Sequence, residues 1–428
     1  MKKLLLLVMA LAIALNCGMA FAETEEEVSG DLSIYLWDNE YAALAVVEAY
    51  QEKYPNVNVE LNVTPFMDYQ TKLFTSLAGG ETMDIFFMRE GQVYRTYVDK
   101  GLCMRLDYFI ESTGYDITPY ESYLPQISVD GGIYELPYRG GGYHLYYNKD
   151  LFDAAGVPYP DMYDSYTWAE FAEVAKQLTS GEGADKVYGV YMMGWPWMQM
   201  FSAMQKGVKI VNDDLEVDLD CQGVRDALQW YYNTCVVDES QITPAEATAI
   251  NASITPLFVA GQTAMILGGD YMGGNLQSNT DSGAIDFEWG MARVPCDEGV
   301  EYSTHSAATC ACINSKAENP ELAFHFLSFL SGEEGQKVVA AAGSKPAMTT
   351  EDIKAVWGAN VPVYTDEMVD LYFEPVKVFS DPMNEAAPYA TTILTEELSL
   401  YMTKNGQDLE TTIANAVSRI EDEILNLG

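Results

Sequence analysis

The stretch Gly194-Trp195-Pro196-Trp197 places two indoles on either side of a proline, in a run with neither helical nor strand periodicity. Packing of a regular element does not require two tryptophans there, so at least one is available to meet a ligand. Other aromatic and polar residues stand at the ends of strand-like runs: Trp37, Met88-Arg89-Glu90, and Asp270-Tyr271 behind two glycines. The carboxyl ends of strands are where a parallel sheet gathers ligand groups. A sugar ring has an apolar C–H face and an edge of hydroxyls. It is held by aromatic faces with acids, amides and arginine beside them, and these positions offer that mixture. Catalytic patterns are missing: there is no G-x-S-x-G, no glycine-rich phosphate loop and no H-E-x-x-H. A carboxylate pair for glycoside hydrolysis has no specificity among 64 acids.

The elements that would position these residues alternate. Leu32, Ile34 and Leu36 mark a strand ending at Trp37, and a helix-like run follows over 41–53. A second strand carries Val57, Val59, Leu61 and Val63, before helix over 68–78. Residues 85–88 are short and wholly apolar, as in a strand buried on both faces. This β-α-β-α-β order predicts a parallel sheet with helices on its faces. Further on, strands are predicted at 143–147, 187–193 and 263–267. Thr167 and Glu170 form a capping box, and Asn319-Pro320 starts another helix. Two helical stretches, 387–404 and 408–426, close the chain. The run Pro137-Tyr138-Arg139-Gly140-Gly141-Gly142 reads as a passage between two lobes, with Gly140, Gly141 and Gly142 as a hinge. Two more passages are placed near 289–295 and 343–346.

Length and composition bound the answer. At 428 residues, 48% hydrophobic and 20% charged, the chain can bury two cores. Residues 1–22 read as a cleaved export signal: Lys2 and Lys3, an apolar run to Leu15, then Ala20-Phe21-Ala22. Lipidation at Cys17 is the lesser alternative, since Asn16 precedes it. The export signal implies a place outside the cytoplasm, in the periplasm or at the cell surface. A formal net charge of −41 disfavours nucleic acid as a partner. The same field attracts cations, which keeps a polyamine in view. The remaining cysteines (Cys103, Cys221, Cys235, Cys296, Cys310, Cys312) have no disulfide-announcing spacing, and most are expected as small buried hydrophobes. The three histidines have no metal-ligand spacing, so neither metal nor cofactor is expected.

The run Tyr134-Glu135-Leu136-Pro137, then Leu145-Tyr146-Tyr147-Asn148-Lys149-Asp150 through Val157, then Thr167-Trp168, resembles the solute-binding proteins of carbohydrate ABC importers, the family that includes the maltose-binding protein. Supporting pieces are Asp84 to Phe87, Phe258 to Met265 and Asn319 to Phe324. The resemblance implies a type II periplasmic-binding-protein fold, in which two α/β lobes are joined by a multi-strand hinge with a ligand cleft between them. Lobe 1 would comprise 31–139 and 291–345, and lobe 2 would comprise 140–290 and 346–428. It implies a non-enzymatic monomer that captures a mono- or oligosaccharide and delivers it to membrane permease subunits. By position, the family's cleft residues fall on Trp37, Asn39 and Glu40; on Met88, Arg89 and Glu90; on Tyr138 and Arg139; on Trp195, Trp197 and Tyr271; and on Tyr389. A ring would be sandwiched by Trp37 and Tyr138 on one side and Trp195 or Trp197 on the other. A neutral or cationic ligand is expected. The opposing idea pairs Arg89 with Arg139 on a uronate. A polyamine would need Glu40, Glu90 and Asp270, and a secreted glycosidase or lyase remains the enzymatic alternative.

Overall fold

The computed structural model describes residues 28–38, 40–88, 91–250, 252–380 and 384–427. The expected export signal with Cys17, and the candidate site residues Asn39, Arg89 and Glu90, lie outside the described residues. Nine strands position the site: β1 Gly30–Trp37, β2 Val57–Thr64, β3 Ile85–Met88, β4 Glu135–Gly142, β5 His144–Asn148, β6 Met265–Gly268, β7 Trp289–Arg293, β8 Ser303–Ile313 and β9 Lys377–Phe379.

The first lobe is built on the order β2-β1-β3-β8-β4, with β1 parallel to β2 and β3, and β8 antiparallel to both β3 and β4. Alternation of Leu32, Ile34 and Leu36 puts these side chains on one face, where helices Tyr41–Lys53 and Pro320–Leu330 cover them. All four β3 residues are buried, as an apolar central strand requires.

The second lobe is a three-stranded sheet, β6-β5-β7, with a core on each face. Leu145 and Tyr147 of β5 point into one core, with Trp168, Trp197 and the C-terminal helix Leu409–Leu427. Tyr146 points into the other, with Trp357 and Tyr372. Thr167 caps helix Trp168–Leu178 through the expected box with Glu170. Residues 187–193 form isolated bridges beside β6, at Tyr188 and Tyr191, instead of a full strand.

Among the described residues, three chain segments run between the lobes, and one differs from expectation. β7 pairs with β5, and Ala292 and Val294 lie in the second-lobe core, so 289–295 is not a crossing. The chain returns along β8 instead, whose start pairs with β9 and whose end pairs with β3. The boundary expected at 291 therefore falls inside the second lobe. The third crossing is at 345–347, where Gly140 N donates to Lys345 O (3.1 Å) and Ala347 N to Tyr138 O (3.3 Å). Gln336 clamps it from below: its Nε2 donates to Tyr138 O (2.8 Å) and its Oε1 accepts from Met348 N (2.9 Å).

Gly140, Gly141 and Gly142 lie within β4, and none has a positive φ. Each has a neighbour where a Cβ would go: Tyr123 Oη at 2.7 Å, Lys345 Cδ at 2.5 Å and Thr304 Cγ2, respectively. Close approach thus explains these glycines sterically.

Candidate functional site

Arg139 sits on β4 where the lobes meet, and each lobe sends it a carboxylate. Glu40, just ahead of helix Tyr41–Lys53 in the first lobe, takes a two-point contact: Nε to Oε1 at 3.2 Å and Nη2 to Oε2 at 3.0 Å. Asp270, just after β6 in the second lobe, accepts from Nη1 at 2.5 Å. The side chains are 13%, 6% and 14% exposed for Arg139, Glu40 and Asp270. Burial works against the guanidinium's charge, but Asp270 and then Glu40 outweigh it and hold its pKa well above the usual value. The Tyr138 hydroxyl accepts from Arg139 Nε at 3.3 Å; burial, followed by the negative charge of Glu40, pushes its own pKa far up.

Lys345 lies beside this group on the third crossing. Its Nζ donates to Tyr372 O (2.5 Å) and stands 5.4 Å from the ring centroids of Tyr372 and Phe373. Burial lowers its pKa to about 8, while Asp270 pulls the other way. His144, stacked on Tyr372 at 5.4 Å, is held neutral: burial, then the nearby Lys345 charge, brings its pKa to about 3.

An aromatic wall adjoins the ionic group. Trp197 lies flat on His305, with ring centroids 3.7 Å apart and planes 9° from parallel. Tyr143 meets Trp197 edge-on at 5.1 Å, and Trp195 flanks it at 5.7 Å. Tyr143 also hydrogen-bonds to Tyr271, whose pKa is pushed to about 12 by burial and by Asp270. Trp195 is 41% exposed while Trp197 is only 5% exposed, so the wall runs from solvent into the lobe. Proline at the first turn of the short helix Pro196–Gln199 sets this arrangement, leaving Trp195 outside the helix and Trp197 within it.

The structure brings Glu40, Arg139, Asp270, Tyr271 and the tryptophan pair towards one junction. It does not bring all the sequence candidates there as surfaces. Trp37 is packed edge-on against Tyr69 at 5.1 Å in the first-lobe core. Tyr138 is wholly buried against Phe87, and Met88 is buried at the end of β3. The sandwich expected from Trp37 and Tyr138 is corrected accordingly: helix Phe66–Gly79 covers the outward face of β1, and Arg139 covers Tyr138. Arg139 is already held by two carboxylates, and Arg89, its expected partner on a uronate, lies outside the described residues. Tyr389, on helix Ala387–Tyr401, is 44% exposed. Sequence reasoning missed Tyr143, His305, Lys345 and Tyr123. Tyr143 directly follows the three glycines and Lys345 lies in an anticipated crossing, so both had a signal; His305 and Tyr123 had none.

A concavity of about 550 Å³ on the first lobe, lined by Ser33, Glu60, Glu81, Asp84 and Glu318 among others, lies away from this junction. Asp84 there is already engaged by Ser33 and by the backbone of Glu318. A second concavity of about 540 Å³, lined by Glu351, Lys354, Tyr364 and Asp370 among others, also lies apart from Arg139; the candidate site is placed at the junction by its paired carboxylates and aromatic wall.

A ligand cleft between two α/β lobes, joined by several strands, defines the class of binding proteins with a type II fold. The chain belongs to the bacterial extracellular solute-binding protein family, whose model matches residues 37–337. It is similar to the arabinooligosaccharide-binding protein of Bacillus subtilis, at 23% identity over 358 residues, covering 79% of this chain and 78% of that one. Among solved structures it is similar to a sugar transporter protein of Rhizobium etli in an open conformation (27% identity, TM-score 0.74, 92% of this chain and 99% of that one). It also shares the fold of an ABC substrate-binding protein from Listeria monocytogenes in complex with cycloalternan (23% identity, TM-score 0.81, 93% and 99%). No helix among the described residues is long and apolar enough to cross a membrane.

Proposed function

We propose that this chain captures a mono- or oligosaccharide between its lobes and hands it to permease subunits of an ABC importer, without chemical change to the sugar. The observation that carries this is the junction itself. A carboxylate from each lobe meets on Arg139, beside an aromatic wall that opens to solvent at Trp195. Ring faces and hydroxyl edges need those two surfaces together. A ligand touching both lobes stabilises the closed arrangement over the open one, which is what a permease can recognise. The names of its relatives, among them a lactose-binding and two arabinooligosaccharide-binding proteins, support a carbohydrate. Action as an exported monomer, with the leader removed after Ala22, is part of the same proposal.

The test is tryptophan fluorescence and calorimetry of the purified protein against neutral mono- and oligosaccharides, polyamines and amino acids. Small-angle scattering runs alongside. A saccharide should bind with a fall in radius of gyration and be recovered intact after days. Binding of spermidine with silence towards every saccharide would overturn the proposal, and a cleaved sugar would move the protein to the glycosidases.

A further inference from the structure

The charges at the lobe junction cancel one another among the described residues. Among the described residues, the ionised side chains that meet there are Glu40, Arg139, Asp270 and Lys345. Five tyrosines and one histidine that face them carry no charge near pH 7. Burial raises the pKa of Tyr123, Tyr138, Tyr143, Tyr271 and Tyr372, and His144 is kept unprotonated. Two positive charges face two negative ones at hydrogen-bonding or near range.

The carboxylates use three of the five N–H donors of Arg139. Two donors remain for neutral oxygens. Asp270 receives Arg139 on Oδ2, and no described donor reaches its Oδ1, so a hydroxyl can give a hydrogen bond there. Lys345 gives its bond to a backbone carbonyl. A carboxylate arriving on a ligand would find the charge of Arg139 already shared between two carboxylates, and an arriving ammonium would find both carboxylates already on Arg139. Burying an unpaired charge costs far more than burying a hydroxyl that gains a partner.

The strongly negative surface argues for a cation only at long range. At physiological ionic strength such fields fade over about 8 Å, whereas the junction charges lie against the ligand space.

We propose that this self-compensated set of Glu40, Arg139, Asp270 and Lys345 selects an uncharged saccharide over its uronic-acid and amino-sugar counterparts. The proposal rests on the saccharide reading above and adds the charge class of the ligand. It also makes a signed statement about single residues. Removing a carboxylate leaves the junction with net positive charge and should favour an acid. Removing Lys345 leaves it net negative and should favour an ammonium.

The experiment compares glucose, glucosamine and glucuronate, then galactose, galactosamine and galacturonate, by calorimetry at pH 7 in 0.15 M salt. The neutral member should bind wild type at least tenfold more tightly than either charged one. Asp270→Asn should raise the ratio of acid to neutral affinity at least tenfold, and Lys345→Met should raise the ratio of amino sugar to neutral affinity. Glu40→Gln should repeat the Asp270→Asn result from the other lobe, which covers a failure of either variant to fold. Equal wild-type affinity for a charged and a neutral member would overturn the proposal. So would folded variants, judged by their circular dichroism, whose rankings do not move or move in the same direction. Wild type that binds no member of either series, nor any saccharide of the wider panel, would instead sink the saccharide reading itself.

Discussion

Replacing Gly142 with alanine separates two reasons for a glycine in the crossing strand. If Gly142 supplies backbone rotation, alanine should leave the resting protein as stable as before, because its φ is not in the left-handed region. If it supplies space, the added methyl collides with Thr304 Cγ2. Thr304 cannot swing aside: it is buried, β-branched, and its Oγ1 donates to Tyr143 O at 2.8 Å. Overpacking of this kind costs about 1–3 kcal/mol. Against it stands a gain of about 0.4–1 kcal/mol from the stiffer unfolded chain. The net loss should therefore be about 0.5–2 kcal/mol, read as a lower urea midpoint with an unchanged slope. Thr304→Ser keeps the hydroxyl and deletes the colliding methyl, at a cost of about 0.8 kcal/mol by itself. Combined with Gly142→Ala it should recover stability, with a coupling energy of about 1 kcal/mol or more in the double-mutant cycle. Tryptophan fluorescence follows the unfolding. A Gly142→Ala protein as stable as wild type, or a double variant no better than the sum of the singles, would refute the steric account.

The two tryptophans of the wall should behave oppositely. Trp195→Ala should weaken saccharide binding by about tenfold or more while changing the melting temperature far less than Trp197→Ala, since Trp195 is 41% exposed and has less packing to lose. Trp197→Ala should destabilise the fold by about 3–5 kcal/mol, because it removes the stack on His305 as well as buried area; identical melting curves for the two variants would contradict this. Glu135 gives a pH signature in the first lobe. Burial pushes its carboxyl up to about 8, against the pull of hydrogen bonds from Cys310 and Cys312. The folded state thus holds a proton that the unfolded chain releases near pH 4.3. Its contribution is full below that pH and is lost as the pH rises to about 8. Glu135→Gln should match wild type near pH 4 and exceed it at pH 8 by several kcal/mol, and parallel stability curves for the two proteins would rule the effect out.

Local pattern made much of the fold legible. Alternation in Leu32-Ile34-Leu36, the unbroken apolar β3 and the box of Thr167 with Glu170 each follow from bonds or burial within a few residues. What pattern could not convey is which sheet a strand joins. β7 carries an apolar run before Pro295 that reads equally well as a crossing; only its pairing with β5, across more than a hundred residues, decides. The site shows the same division. Glu40 and Asp270 were recognisable as polar residues beyond strand ends, and Arg139 as one on the first passage between lobes. Their mutual pairing was not, because no spacing in the chain encodes contact between residues 40, 139 and 270. Trp37 looked like a platform because it ends a strand. It is core because the ring of Tyr69, from a helix packed on the far face, covers it.

β8 has a consequence for how the chain assembles as it is made. The apolar β3 is flanked by β1 on one side and by β8 on the other, so residues 85–88 are complete only when 310–313 arrive. A polypeptide emerging from its amino end therefore exposes a bare, hydrophobic strand edge for most of its synthesis. Pairings so distant in sequence form slowly. The first lobe therefore closes only late in synthesis. The same pairing also means that a fragment ending before residue 313 carries an open edge, ready to pair with another copy and aggregate.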